Sequence, residues 1–399
     1  LLDALSGTPE NRHIQNVKKN ACMKIALYDE HTWGAAQSIQ NPDDTEVTSQ
    51  RTHKSNWAYE AADLSGYLLG VQMEKLAGNP PQSKEPEGVL LVNTSPFAQE
   101  LPLEIPDRYF YEGRHLAGLR IKQFLPYSRP GKCREFGKVR LDPYSWKKVP
   151  FSSLSGREQS TDKEKKDYTV TENSIETPYY KMCFQPDAGR ILELTDKKNG
   201  WSILDNSSEW TFFEFVSETI DPRYHKETRS SLFPRDVELG NQSVSVWNHD
   251  WKARRRGIDS VISWHIEESA HEATFVLRSK AFGVKNMEQR ITFSALHPRI
   301  GLQVIMEKED IRTPESIYFA FPLNLEKGYQ CCFDTAGLFV ELDKDQLGAA
   351  CRDYITVDKT ISLYDGAHGV TLACPDAPLI QVGYFHFAKE NRNSQRGVN

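Results

Sequence analysis

Apolar positions along this 399-residue chain change period partway through. Up to about residue 80 they recur at helical spacing, and beyond it they come in short alternating runs. Ile14, Val17, Ala21 and Ile25 share one helical face, with Thr8 as a candidate N-cap and Pro9 at the first helical position. This spacing predicts a helix running to about Tyr28. Trp57, Ala61, Leu64, Leu68 and Val71 predict a second helix, closed by Gly78-Asn79-Pro80-Pro81. Residues 35–56, rich in Gln, Asn, Asp, Ser and Thr, read as a long polar connection with no core of its own. Residues 1–82 are therefore expected to form a helical hairpin.

After Pro81 the texture is that of strands. Val89 to Val92 is a short apolar run, Asn93-Thr94-Ser95-Pro96 a turn, and Gln99 to Ile105 alternates. Residues 83–160 are expected to hold a small β domain followed by a polar linker. From there to residue 399, short β-rich runs follow one another: Tyr179–Phe184, Ile191–Thr195, Trp210–Val216, Val244–Trp247, Val261–Ile266, Ala273–Leu277, Gln289–Phe293, Ile300–Met306, Ser316–Pro322 and Leu338–Leu342. Alternation such as Phe275 and Leu277 against Thr274 and Val276 predicts a large antiparallel sandwich of two packed sheets over 161–399. No internal repeat points to a propeller or solenoid. The fold class expected is mainly β with an N-terminal helical hairpin.

Composition narrows the function classes. A hydrophobic fraction of 39%, a charged fraction of 26% and eight tryptophans describe an ordered globular chain. A net charge of −6 argues against nucleic acid as a partner, and the basic run Lys252, Arg254, Arg255, Arg256 reads as a solvated strand end or loop. No stretch has the ~18 to 20 apolar residues that span a bilayer, so no membrane partner is expected. Seven cysteines, an odd number without a CxxC pair, do not suggest a disulfide framework. Three Asn-X-Ser/Thr tripeptides begin at Asn93, Asn206 and Asn241. The chain opens on Leu1 and stops at Asn399, which reads as an internal segment of a longer protein.

Most catalytic signatures are missing. There is no GxxxxGK[ST], GxGxxG or GxSxG, and His271-Glu272 starts an HExxH pattern that ends on Phe275. Asp343-Lys344-Asp345 is a poor match to a calcium loop. His249, Asp250 and Trp251, with Trp247 nearby, could touch a carbohydrate or simply pack. The densest cluster is Tyr28-Asp29-Glu30-His31-Thr32-Trp33-Gly34, at the end of the first predicted helix. Imidazole and carboxylate are ordinary ligands for zinc, and a tryptophan face can stack on a pyranose; a solvated turn would look the same.

In their order along the chain, these segments resemble the family 38 glycoside hydrolases, the retaining α-mannosidases, in the part that follows their catalytic barrel. The resemblance is carried by Leu27 to Ala35 at a helix end, by Val89 to Ile105 with Asn93 and Pro96 in its turn, by Tyr179 to Gly200, and by Glu315 to Pro322. It implies that the hairpin is the remnant of a three-helix bundle and that the sandwich is a galactose mutarotase-like supersandwich. It further implies His31 as a zinc ligand, with Asp29, Glu30 and Trp33 near a sugar pocket, and a glycan or oligosaccharide as substrate. The family's nucleophile and other zinc ligands come from an upstream β/α barrel with a His-x-Asp pair, a pattern that none of the eleven histidines here begins. The chain would pack against that barrel. Thr32 stands where better-known members have an aspartate, so mannose itself is not implied by that position. Two alternatives stay open: a non-catalytic carbohydrate-binding β-sandwich, and a sandwich-only enzyme using His249, His265 and Asp250 on one sheet face.

Overall fold

The computed structural model describes residues 11–30, 34–35, 41–78, 88–106, 133–153, 166–220, 253–311, 315–347 and 354–383. The protein is mainly β, a helical hairpin followed by antiparallel sheets. It divides into two compact units, Leu1–Glu164 and Lys165–Asn399.

In the first unit, α1 (Arg12–Tyr28) starts at Asn11, whose side chain accepts from Ile14 N at 2.9 Å; the expected cap at Thr8 and Pro9 lies outside the described residues. Ile14, Val17 and Ala21 are buried as their spacing predicts, but Ile25 is 46% exposed. The contact face therefore narrows to a stripe that Ile25 leaves. Helix α2 spans Thr45–Ala77 and so begins well inside the stretch read as a polar connection. Asp44 caps it by accepting from Glu46 N at 2.8 Å, and Val47, Lys54 and Ala61 are buried at seven-residue intervals. Polar composition hid the first third of the helix, because one of the three buried positions on its stripe is a lysine. The stop at Gly78 has a clear cause: its φ of 61° is left-handed, which glycine adopts without strain, and its N–H reaches Glu74 O at 2.9 Å.

The same unit carries β1 (Gly88–Asn93), β2 (Gln99–Pro106), β3 (Cys133–Leu141) and β4 (Ser145–Pro150), paired antiparallel as β1 with β4 and β2 with β3. Leu103, Ile105, Phe136 and Val149 form their core. Asn93 ties two turns together. Its Nδ2 donates to the carbonyls of Phe97 and Asp142 at 2.8 Å each, with that of Leu141 at 3.4 Å, while its Oδ1 accepts from Ser95 N at 2.9 Å.

In the second unit, β5 (Thr169–Val170), β6 (Ser174–Glu176), β7 (Tyr180–Gln185), β8 (Arg190–Asp196) and β9 (Trp201–Ser202) form a five-stranded sheet in chain order. There follow β10 (Glu214–Ile220), β11 (Ala253–Arg256), β12 (Ile258–Glu268), β13 (Glu272–Ala281), β14 (Val284–Ser294), β15 (Ile300–Lys308) and β16 (Glu315–Ala320). β12 to β15 form a meander, and β10 lies between β11 and β16. The five-stranded sheet and the meander face each other across the main core, where Met182, Phe184 and Leu194 meet Phe275, Leu277 and Phe293. Phe184 and Phe275 have ring centroids 4.4 Å apart. The strand expected from Trp210 starts only at Glu214, because Trp210 to Phe213 form the turn that leads into it.

A further sheet and pair, built from β17 (Gln330–Thr335), β18 (Leu338–Glu341), β19 (Tyr354–Thr356), β20 (Thr360–Tyr364), β21 (Gly369–Ala373) and β22 (Leu379–Gln381), enclose a second core around Cys331, Phe333, Ile355 and Ile361. Asp365, just after β20, accepts from the backbone N–H of Glu326, Ala367 and His368 at 2.8 to 3.0 Å, and His368 stacks on Trp201. Among the described residues no helix is long and apolar enough to cross a membrane.

Candidate functional site

The end of α1 is where the chemistry-bearing heptapeptide begins. Asp29 is the C-cap of the helix, its N–H bonded to Ile25 O at 2.9 Å. Glu30 is tied to the partner helix: Lys54 Nζ donates to its carboxylate at 2.7 Å and to its backbone carbonyl at 3.0 Å. Lys54 is 8% exposed, and burying an ammonium is tolerated only where acceptors meet it. The pair therefore ties Glu30, the residue after the C-cap, to α2. His31 and Trp33 lie outside the described residues, so the structure brings together Asp29 and Glu30 alone of the four candidates.

Among the described residues no group of three or more His, Cys, Asp or Glu converges as metal ligands do. The side chains described at the helix end do not by themselves make a zinc site: Glu30 is engaged by Lys54, and a tetrahedral site needs further donors.

A second charged cluster lies on the meander, on the face turned away from the main core. Register places His265, Val276 and Arg290 in one cross-strand row and Glu267, Thr274 and Thr292 in the next, with Arg278 opposite Glu288 on the other side. Arg290 donates from Nη1 to Glu267 Oε1 and to Glu288 Oε1, each at 3.1 Å, and from Nη2 to Glu267 Oε2. Arg278 Nε donates to Glu288 Oε2 at 2.9 Å, and His265 Nε2 lies 3.2 Å from Glu267 Oε1. The arm of Arg290 thus crosses β13 from β14 to β12, and Val276 in between is fully buried.

The hydrogen bond from Arg290 holds the Glu267 carboxyl below its ordinary range, against the opposing effect of burial. Glu267 is therefore a hydrogen-bond acceptor at neutral pH and a poor proton donor. Of the three residues considered for a sandwich-only enzyme, His265 is on this face, whereas His249 and Asp250, with Trp247 and Trp251, lie outside the described residues. Arg278, Glu288 and Arg290 were not singled out from the sequence. Their signal is faint, Glu288 and Arg290 two apart on β14 and Arg278 on β13, and it has no partner until the register is known.

In the basic run Arg254 and Arg256 are exposed on the strand β11 as expected, Lys252 lies outside the described residues, and Arg255 alone departs. Arg255 Nε donates to Glu218 at 2.6 Å, and Glu218 is only 3% exposed, with the Tyr318 hydroxyl 3.4 Å from its other oxygen. Burial pushes the Tyr318 hydroxyl up, which keeps it protonated and able to donate to the carboxylate. The carboxyl of Glu214, nearby on β10, is raised by burial and accepts from Thr211 N at 2.7 Å, a turn contact.

The remaining weak motifs settle into structure. Glu272 opens β13 with His271 in the bend before it, and Asp345 accepts from Glu341 N at 2.8 Å within its own loop. No model of a known protein family matches this chain, and no curated protein matches it.

Proposed function

We propose that this chain is the helical-hairpin and β-sandwich portion of a zinc-dependent retaining glycoside hydrolase acting on α-mannosides or related glycans. On this reading the nucleophile and the remaining zinc ligands lie on an upstream β/α barrel against which the chain packs. The observation that carries it is the end of α1: the helix stops at Tyr28, and Lys54 fixes Glu30 directly before His31. The order of hairpin, small β sheets and large sandwich supports it. Zinc, when bound, supplies Lewis-acid contacts to sugar hydroxyls. The chain's own contribution is positional: the Lys54–Glu30 pair anchors the residue directly before His31, and Asp29 and Glu30 border the sugar.

The test uses the protein expressed from its complete coding sequence. The expected result is hydrolysis of an aryl α-mannoside with retention of configuration, and bound zinc that falls at least about tenfold in His31→Ala. An upstream sequence without a β/α barrel bearing a His-x-Asp pair would overturn the assignment.

The meander face favours a second reading, a non-catalytic carbohydrate-binding sandwich. Arg278, Arg290, Glu267 and Glu288 hold one another in fixed planes, and such planar groups offer paired donors and acceptors to vicinal hydroxyls. This reading predicts glycan binding on an array that survives chelator and His31→Ala but is lost in Arg290→Ala.

A further inference from the structure

The three Asn-X-Ser/Thr tripeptides are equivalent as sequence and unequal in the fold. Attachment of an N-linked glycan forms a bond from the asparagine Nδ2 to sugar C1. The C1–O bond to a polyprenyl diphosphate breaks, the diphosphate leaves with the electron pair, and one amide proton passes to base. The product carries a bulky solvated group where one amide hydrogen was. A folded asparagine can bear it only if one hydrogen is not needed and the side chain faces water.

Asn93 fails both conditions. It is 5% exposed, and its two amide hydrogens serve the carbonyls of Phe97, Asp142 and Leu141. These bonds fasten the turn after β1 to the turn between β3 and β4, so a sugar there would displace the contacts that close the small β domain.

Asn206 meets both. It is exposed on the turn that follows Leu204. Asp205 Oδ1 accepts from Ser207 N at 2.9 Å and from the Ser207 hydroxyl at 2.7 Å, and Asp205 O accepts from Ser208 N at 3.3 Å. The turn thus holds its shape without the Asn206 amide. Asn241 lies outside the described residues.

We propose that Asn206 is an N-linked glycan acceptor of this chain in a glycosylating compartment, and that the fold withholds Asn93. The full chain, secreted from a eukaryotic cell, is digested after enzymatic glycan release in heavy-oxygen water, and each asparagine is read by peptide mass spectrometry. Heavy-oxygen aspartate is expected at position 206 and unmodified asparagine at 93. Asn206→Gln and Ser208→Ala should each remove the label at 206 without altering the peptide at 93. Secreted protein with a bare Asn206, or with a glycan on Asn93, overturns the proposal. If a variant is retained, the cell-associated pool is mapped in the same way, and a bare Asn206 in the parent chain there overturns it equally.

Discussion

Two charged clusters in this molecule are built on opposite plans. At the end of α1, Lys54 meets Glu30 from the partner helix, and the carboxylate half of the pair is 38% exposed at the helix end. On the meander, Arg290 is 16% and Glu288 8% exposed at the side chain, and the cluster spans three strands through Glu267 and Arg278. The first is a short tether between the end of α1 and α2. The second is a strap that spans the strand carrying the buried Val276. Lost charge should therefore cost more on the sheet than at the helix end.

The largest effect is expected from Arg290→Ala. It removes the three hydrogen bonds from Arg290 to Glu267 and Glu288 beside the buried Val276, and should cost about 2–4 kcal/mol in urea unfolding of the intact chain. A loss no larger than that of Glu30→Ala would remove the contrast. Glu30→Ala removes the carboxylate that meets the buried Lys54 ammonium and should cost about 1–2 kcal/mol. Lys54→Met removes both the charge and the need to pair it, so its stability should lie within about 1 kcal/mol of the parent. Under the proposed function, Lys54→Met should still lower zinc occupancy of the full-length protein, because Glu30, directly before His31, loses its anchor on α2.

Acid separates a third cluster from these two. Three backbone N–H groups hold the Asp365 carboxyl down to about 2, from an ordinary 3.8. A carboxyl depressed in the folded state adds stability that is present above its unfolded value and lost as pH falls through the folded one. Asp365 should therefore support the fold above about pH 4 and cease to do so near pH 2. Fluorescence of Trp201, stacked on His368, reports this region, and Asp365→Asn should abolish the acid-dependent part of the change. An unchanged acid transition in that variant would assign the dependence to other carboxylates, such as Glu267.

The legible parts of the sequence were those where one residue type is needed locally. Gly78 ends α2 because its left-handed φ suits glycine, and Phe275 and Leu277 point to one side of a strand because side chains alternate. The first third of α2 was misread because Lys54 occupies a buried position on its packing stripe. Of the candidate site, Glu30 was found by its neighbours in sequence, while its engagement by Lys54, twenty-four residues away, was not visible.

From sequence alone followed the mainly β class, the helical hairpin, the end of α1 just before His31 and three equivalent glycan tripeptides. Those properties rest on periodicity, on caps and on short-range spacing, which a chain carries whatever its fold. The meander strap, the buried pairing of Arg255 with Glu218, and the division between a buried Asn93 and an exposed Asn206 came from folding. Each depends on strand register or on which turns meet, and these are set by the packing of residues far apart in the chain.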